Sequence, residues 1–189
     1  YRYTPWYYSR NNTMSLTFSD AQTTIGAYTF KEITGKVPTY SAETQTWEVY
    51  DRDNQLVAIF YNDYYPRNGK GAGAWMTDLR PQTYVMDENG KEVRQIPICI
   101  NVCNMTRPNA EGAALQSSDN VETMFHEFGH ALHSFFRNVK YSGTSGTERD
   151  FVELPSQINE HWAFEPEVLK VYAKHYKTGE TIPQELIDK

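Results

Sequence analysis

The sequence contains only two cysteines, and their spacing does not suit a disulfide. Cys99 and Cys103 lie in a stretch, 96–103, whose alternating apolar residues indicate a strand. At about 3.3 Å per residue the two would lie roughly 13 Å apart, too far for a disulfide bond. Two cysteines are also too few for a disulfide-rich scaffold. Both are therefore expected to be small buried residues without a redox or metal-binding role.

Basic residues and long apolar runs are also scarce. Lys and Arg total 18 against 24 for Asp and Glu, which gives a formal net charge of −6, so binding to a phosphate backbone has no electrostatic support. The longest apolar stretch, 56–61, is far shorter than the roughly 20 residues of a membrane helix. The first six residues contain no apolar signal core. These absences predict a soluble chain without nucleic-acid or membrane partners, and they leave its compartment open between cytoplasm and periplasm.

Aromatic residues and short strand patterns are present instead. Residues 1 to about 30 show no clear period, so no structure is assigned there. From 37 to 105 the chain alternates short β-rich stretches with turns, and 46–50 and 56–61 flank a turn that predicts a hairpin. The expected result is a small, mainly antiparallel sheet.

The pattern becomes helical after Ser117. Ser118 or Asp119 can cap a helix, and Asp119 and Glu122 have the spacing of a capping box. The apolar residues that follow recur at steps of three and four, which predicts one buried stripe. Its members are Val121, Met124, Phe125, Phe128, Leu132, Phe135, Phe136 and Val139. Further helices are predicted from about Leu154, after Pro166 up to Gly179, and near Pro183.

The predicted helix carries the motif HEFGH at 126–130. His126 and His130 are about 40° and 6 Å apart on one helix face, so both rings can bind one Zn²⁺. Glu127 points to the side of this pair and suits the role of general base. The alternative is a pair of ordinary helix histidines, but the position of the motif beside a buried stripe favours a metal.

The third metal ligand is not fixed by spacing. Catalytic zinc takes three protein ligands and leaves one position open, and the downstream candidates are Glu148, Glu153, Glu160 and Glu165. Glu153 and Glu160 are seven residues apart and share a helical face. Glu122, one turn before His126, could accept its second ring N–H or serve the capping box. His133 does not match the metzincin pattern and is expected behind the ligands or in solvent.

The motif and its surroundings resemble a known family. HEFGHALH at 126–133 and ERDFVELPSQ at 148–157 are similar to the zinc metallopeptidases that include thimet oligopeptidase, oligopeptidase A and peptidyl-dipeptidase Dcp. YYPR at 64–67, GAWM at 73–76 and NVCN at 101–104 add to the resemblance, and SQINEHW at 156–162 points to the Dcp branch. The similarity runs from about residue 25 to 189, and residues 1–24 remain unassigned.

The resemblance implies a site and a fold. It makes His126, His130 and Glu153 the ligands of one zinc ion and Glu127 the catalytic carboxylate, with Glu122 beside the metal. The implied fold is an α+β, zincin-like core in which a small sheet precedes the active-site helix and further helices. In this family the oxyanion donors come from a segment beyond residue 189, so the chain is expected to be a catalytic core, 25–189, without the C-terminal portion of its parent.

The implied function is zinc-dependent hydrolysis of short peptides, with release of C-terminal dipeptides. Two alternatives stay open: an endo-acting oligopeptidase, and a zinc-binding core that has no turnover by itself. Substrate-binding residues are not assigned, although the loop 69–75 and its flanking strand could bind a peptide as an added strand.

Overall fold

The computed structural model describes residues 8–9, 22–25, 27–110 and 114–187. Most of the unassigned segment 1–24 therefore lies outside the described residues. These residues form ten strands and four α-helices. The strands are β1 (Tyr8–Ser9), β2 (Gln22–Ile25), β3 (Tyr28–Glu32), β4 (Gln45–Tyr50), β5 (Leu56–Asp63), β6 (Trp75–Arg80), β7 (Thr83–Met86), β8 (Glu92–Gln95), β9 (Ile98–Val102) and β10 (Ala114–Leu115); the helices are α1 (Ser118–Phe136), α2 (Leu154–Ala163), α3 (Pro166–Tyr172) and α4 (Gln184–Ile187).

Six strands form the main sheet in the order β2-β3-β4-β5-β9-β6. The predicted hairpin is confirmed as β4 and β5, and the predicted strand near the cysteines is β9. The sheet is mainly antiparallel, as expected, but β5 and β9 are parallel. A parallel pair requires a long connection, and here β6 and the separate β7–β8 hairpin occupy it. Strand β6 then lies at the edge of the sheet, beside β9.

Helix α1 packs its apolar stripe on this sheet. Phe128 and Phe135 contact Phe60, with ring centroids 5.8 and 5.4 Å apart. Phe136 lies off the stripe and is half exposed, and Val139 follows the end of the helix. The prediction was wrong for these two because the stripe rotates around the helix and the helix ends at Phe136.

The start of α1 also differs by one residue from the prediction. Ser117 is the N-cap, and its hydroxyl accepts a hydrogen bond from the Asn120 N–H at 3.2 Å. Ser118 and Asp119 lie inside the first turn, where their own backbone is already helical. The carboxylate of Asp119 there has a favourable interaction with the helix dipole.

Both cysteines are buried and free, as predicted. Cys99 belongs to the cluster formed by Phe60, Ala131 and Phe135. Cys103 packs beside Phe125, and burial raises the pKa of its thiol to about 12. These thiols therefore act as small core residues.

The C-terminal helices follow the predicted breaks only in part. Pro155 lies in the first turn of α2 and Pro166 begins α3. Helix α3 ends at Tyr172, whereas the sequence predicted a helix up to Gly179; Gly179 instead lies in a turn with φ +75°. That turn is closed by a bridge between Lys174 and Thr181. Within the described part of the chain, no helix has the length and apolar character needed to cross a membrane.

Candidate metal centre and active site

Helix α1 presents two imidazoles toward one point. His126 and His130 are one turn apart, and their Nε2 atoms are 3.2 Å apart. Both side chains are partly buried, with 25% and 16% of their surface exposed. At this distance one ring can donate an N–H to the other, and when both nitrogens are deprotonated they are well placed to share a cation.

Glu153 adds a carboxylate oxygen to the pair. It immediately precedes α2, and its Oε2 lies 3.2 Å from His126 Nε2 and 3.1 Å from His130 Nε2. The three ligand atoms therefore form a nearly equilateral triangle. Among the residues that the structure describes, this is the group of His, Cys, Asp or Glu side chains that could hold a metal ion.

The size of this triangle fits zinc. Ligand atoms about 2.0 to 2.1 Å from a tetrahedral Zn²⁺ are about 3.3 Å from one another, and two imidazoles with one carboxylate are a common catalytic donor set. The observed separations of 3.1 to 3.2 Å come close to one face of such a tetrahedron. A fourth position would remain for water or substrate.

The glycine of the motif explains how α2 comes so close. A Cβ built on Gly129 would lie 2.6 Å from the Pro155 carbonyl oxygen and 2.6 Å from the Ser156 Cα. The helices therefore touch through their backbones at this point. The side chain of Asn159 strengthens the contact by donating to the Phe125 carbonyl at 2.6 Å. This contact places Glu153 opposite the two histidines.

Electrostatics keeps two of these donors in the forms that bind a cation. Ser156 Oγ donates to Glu153 Oε2 at 2.8 Å, and this hydrogen bond, with a smaller contribution from the neighbouring histidines, lowers the pKa of Glu153. Burial lowers the pKa of His130. The carboxylate and the neutral imidazole are thus both favoured near neutral pH.

Glu127 lies beside the triangle but does not join it. The residue is buried on the sheet side of α1 with 6% exposure, and the backbone of Met76 in β6 lies close enough to its carboxylate to act on its pKa. Burial raises its pKa, and the negative charge of Glu153 acts in the same direction. Its Oε2 atom finds no hydrogen-bond partner among the described residues. A carboxylate with a raised pKa and a free oxygen is suited to accept a proton.

The structure places Glu160, not Glu122, against the second nitrogen of His126. Glu160 Oε1 reaches His126 Nδ1 from α2, whereas Glu122 is exposed on α1. Helical side chains lean toward the N-terminus, so Glu122 leans away from a histidine that follows it. The expectation of a Glu122 contact with this nitrogen is therefore corrected. The shared face of Glu153 and Glu160 was the signal in the sequence for this arrangement.

The remaining sequence candidates lie outside the triangle. Glu148 and Glu165 are exposed. His133 lies one turn past Gly129, and burial lowers its pKa, with Arg137 acting in the same direction. Its charged neighbours are therefore Arg137 and Asp78 rather than the carboxylate of Glu153.

The chain is similar to known peptidases. The family model described as Peptidase family M3 matches residues 8–189, which begins ahead of the expected boundary at residue 25. The dipeptidyl carboxypeptidase of Escherichia coli K12 is 43% identical over 81% of the chain, and the chain covers 22% of that protein. Oligopeptidase A of the same organism is 42% identical, with the same coverage of both proteins.

A plant relative aligns with a larger share of the chain. The organellar oligopeptidase A of Arabidopsis thaliana is 37% identical over 97% of the chain and 23% of its own length. The chain thus spans less than a quarter of the length of these curated relatives. Since the family model covers nearly all of the sequence, the chain belongs to peptidase family M3.

Proposed function

We propose that this chain is the catalytic core of a zinc peptidase that hydrolyses short peptides and releases dipeptides from their C-termini. The observation that carries the proposal is the triangle of His126, His130 and Glu153 with Glu127 beside it. The spacing of the three ligand atoms supports one Zn²⁺, and the raised pKa of Glu127 supports its role as general base. When bound, zinc supplies a more acidic water and a polarised substrate carbonyl.

The proton transfers are assigned to Glu127. Its carboxylate accepts a proton from the attacking water and later donates it to the leaving amine. The backbone of Met76 lies beside this carboxylate. Glu160 fixes the ring of His126 by accepting from Nδ1, which leaves Nε2 to bind the metal.

Substrate is proposed to bind along β6. Within the described part of the chain this strand is the last in the sheet order, so one of its edges is available for a further strand. Met76 belongs to β6, and its backbone lies near the carboxylate of Glu127. A peptide paired with this edge would pass close to the catalytic carboxylate. Donors for the oxyanion are proposed to come from the portion of a longer parent protein that follows residue 189.

Dipeptide release and internal cleavage are distinguished by the substrate's C-terminus. The relatives named dipeptidyl carboxypeptidase and oligopeptidase A are 43% and 42% identical to the chain, so identity does not decide between the two modes. The test compares one peptide with a free carboxylate and the same peptide amidated, with products followed by mass spectrometry. Loss of cleavage on amidation supports dipeptide release, and equal cleavage supports the endo-acting alternative.

The variant Glu127→Gln tests the mechanism. It keeps the shape of the side chain but removes the base, so we expect turnover to fall by at least about 10²-fold while zinc content stays at one ion per chain. Zinc is measured by elemental analysis on the same samples. Wild-type protein that binds zinc without hydrolysis would favour the zinc-binding core, and undiminished turnover in the variant would reject Glu127 as the base.

A further inference from the structure

The segment that leads into β6 has no regular structure, yet side chains hold it firmly. Lys70 has a side chain that is only 3% exposed. Its ammonium group donates to the carbonyls of Asp63 at 2.9 Å, Tyr65 at 2.8 Å and Cys103 at 2.5 Å, and to the Asp63 carboxylate at 3.0 Å. The beginning of the segment is therefore fixed to the ends of β5 and β9.

Asn104 fixes the next turn of the same segment. Its Nδ2 donates to the Gly71 carbonyl at 2.9 Å and to the Gly73 carbonyl at 2.8 Å. Both amide hydrogens are thus used on carbonyls two residues apart. Gly73 has φ +91°, a conformation that other residues rarely adopt. The turn 71–73 therefore depends on one glycine and on one side chain that follows β9.

This turn determines where β6 begins. Trp75 is the first residue of β6 and pairs with Val102 at the end of β9. The backbone of Met76, the second residue, lies close enough to the Glu127 carboxylate to lower its pKa. Gly73 and Met76 are three residues apart and therefore at most about 11 Å from each other along the chain. A shift of the turn would thus move the strand residue that contacts the catalytic carboxylate.

We propose that Asn104 is a positioning residue: by holding the Gly71 and Gly73 carbonyls it sets the position of Met76 against Glu127. The consequence for hydrolysis rests on the proposed function. The residue does not touch the metal triangle, so its effect is on the alignment of the base. Asn104 also begins an N-glycosylation pattern with Thr106. A glycan on Nδ2 would replace one of the two hydrogens that hold the turn, so this role and glycosylation are incompatible.

The test uses two substitutions of different size and one control. Asn104→Asp preserves the volume but removes both donors, and Asn104→Ala removes the group. We expect both to lower kcat by about 10- to 100-fold, the effect of a displacement near 1 Å, with little change in KM and unchanged zinc content. Asn68→Ala is the control, since Asn68 is an exposed residue of the same loop, and it should leave kcat unchanged. Wild-type kcat in Asn104→Asp would overturn the proposal.

Hydrogen exchange provides a readout that does not need turnover. In Asn104→Asp we expect the amides of residues 74–76 to exchange at least about tenfold faster, whereas those of β9 keep their protection. Unchanged exchange at 74–76 would overturn the role of Asn104 even if the protein is active. If zinc-loaded wild-type protein hydrolyses no peptide, the proposed function fails, and the exchange result still decides whether Asn104 holds the turn.

Discussion

His126 has one glutamate before it on its own helix and another opposite it on α2, and only the second meets its ring. Glu160 contacts Nδ1, while Glu122 is exposed. A carboxylate at Nδ1 fixes the ring and makes Nε2 a better donor to a metal. The direction of a side chain, and not its distance along the sequence, therefore selects the residue that supports the ligand.

Exchanging each glutamate for glutamine tests this difference. Glu160→Gln keeps an acceptor near Nδ1 but removes its charge, so we expect zinc affinity to fall by about 10- to 100-fold. Glu122→Gln should leave the affinity unchanged, because the side chain points to solvent. Competition with a fluorescent chelator measures both values. Equal losses in the two variants would contradict the assignment of Glu160.

At the scale of elements, the contact between α1 and α2 creates the metal triangle. Glycine in the middle of a helix is ordinarily unfavourable by about 1 kcal/mol relative to alanine. At Gly129 this cost is offset because the missing Cβ lets the backbone of Pro155 and Ser156 come within contact distance. The glycine of the motif is thus a requirement of helix packing.

Gly129→Ala should therefore be destabilising, opposite to the usual effect in a helix. The new methyl would overlap backbone atoms 2.6 Å away, so α2 must shift, at an expected cost of about 1 to 3 kcal/mol. Glu153 lies just before Pro155 and Ser156 in the chain, so a shift of α2 would also move this ligand. Zinc affinity should therefore fall as well. Denaturant unfolding and chelator competition measure the two effects.

Gly143→Ala provides the comparison for this substitution. A Cβ at Gly143 would have no atom within 4 Å, and the residue does not have a positive φ. We expect its stability and zinc affinity to match those of the wild type. A Gly129→Ala protein as stable as Gly143→Ala would show that the two helices are not held by this close approach.

The sequence predicts elements better than it predicts how they meet. The β4–β5 hairpin and α1 follow from local periodicity and turn residues, and the two histidines follow from helix geometry. The parallel pairing of β5 with β9, the contact of Glu160 with His126 and the packing role of Gly129 depend on residues more than twenty positions apart. Local patterns do not determine which distant residues come into contact, so these features required the structure.

At the scale of the whole molecule, Asp63 connects the sheet to the loop before β6. The carboxyl group is 2% exposed and accepts from Arg67 at 2.6 and 2.9 Å, from Lys70 at 3.0 Å and from Tyr40 at 2.5 Å. Burial alone would raise the pKa of Asp63, but the hydrogen bonds from Arg67, Tyr40 and Lys70 outweigh it and lower the pKa. The folded protein therefore favours the ionised form.

The sign of this pKa shift determines how stability depends on pH. The pKa of Asp63 is lower in the folded chain than its value of about 3.9 in an unfolded chain. Its contribution is therefore fully present above about pH 4 to 5 and decreases as the pH falls through the folded pKa. A surface ion pair serves for comparison. Glu92 pairs with Lys140 at 2.9 Å on the surface, where an ion pair contributes at most about 1 kcal/mol.

Asp63→Asn should consequently destabilise the protein strongly at neutral pH. It leaves the ammonium group of Lys70 buried without its anion, which is expected to cost about 3 to 5 kcal/mol of unfolding free energy. The deficit in unfolding free energy relative to the wild type should shrink below about pH 4, because the unfolded wild-type chain then binds a proton at Asp63 that folding must release. Urea unfolding at pH 7, 5 and 3.5 measures it, with Glu92→Gln as the surface control. A deficit that stays constant over this range would mean that the charge of Asp63 does not stabilise the fold.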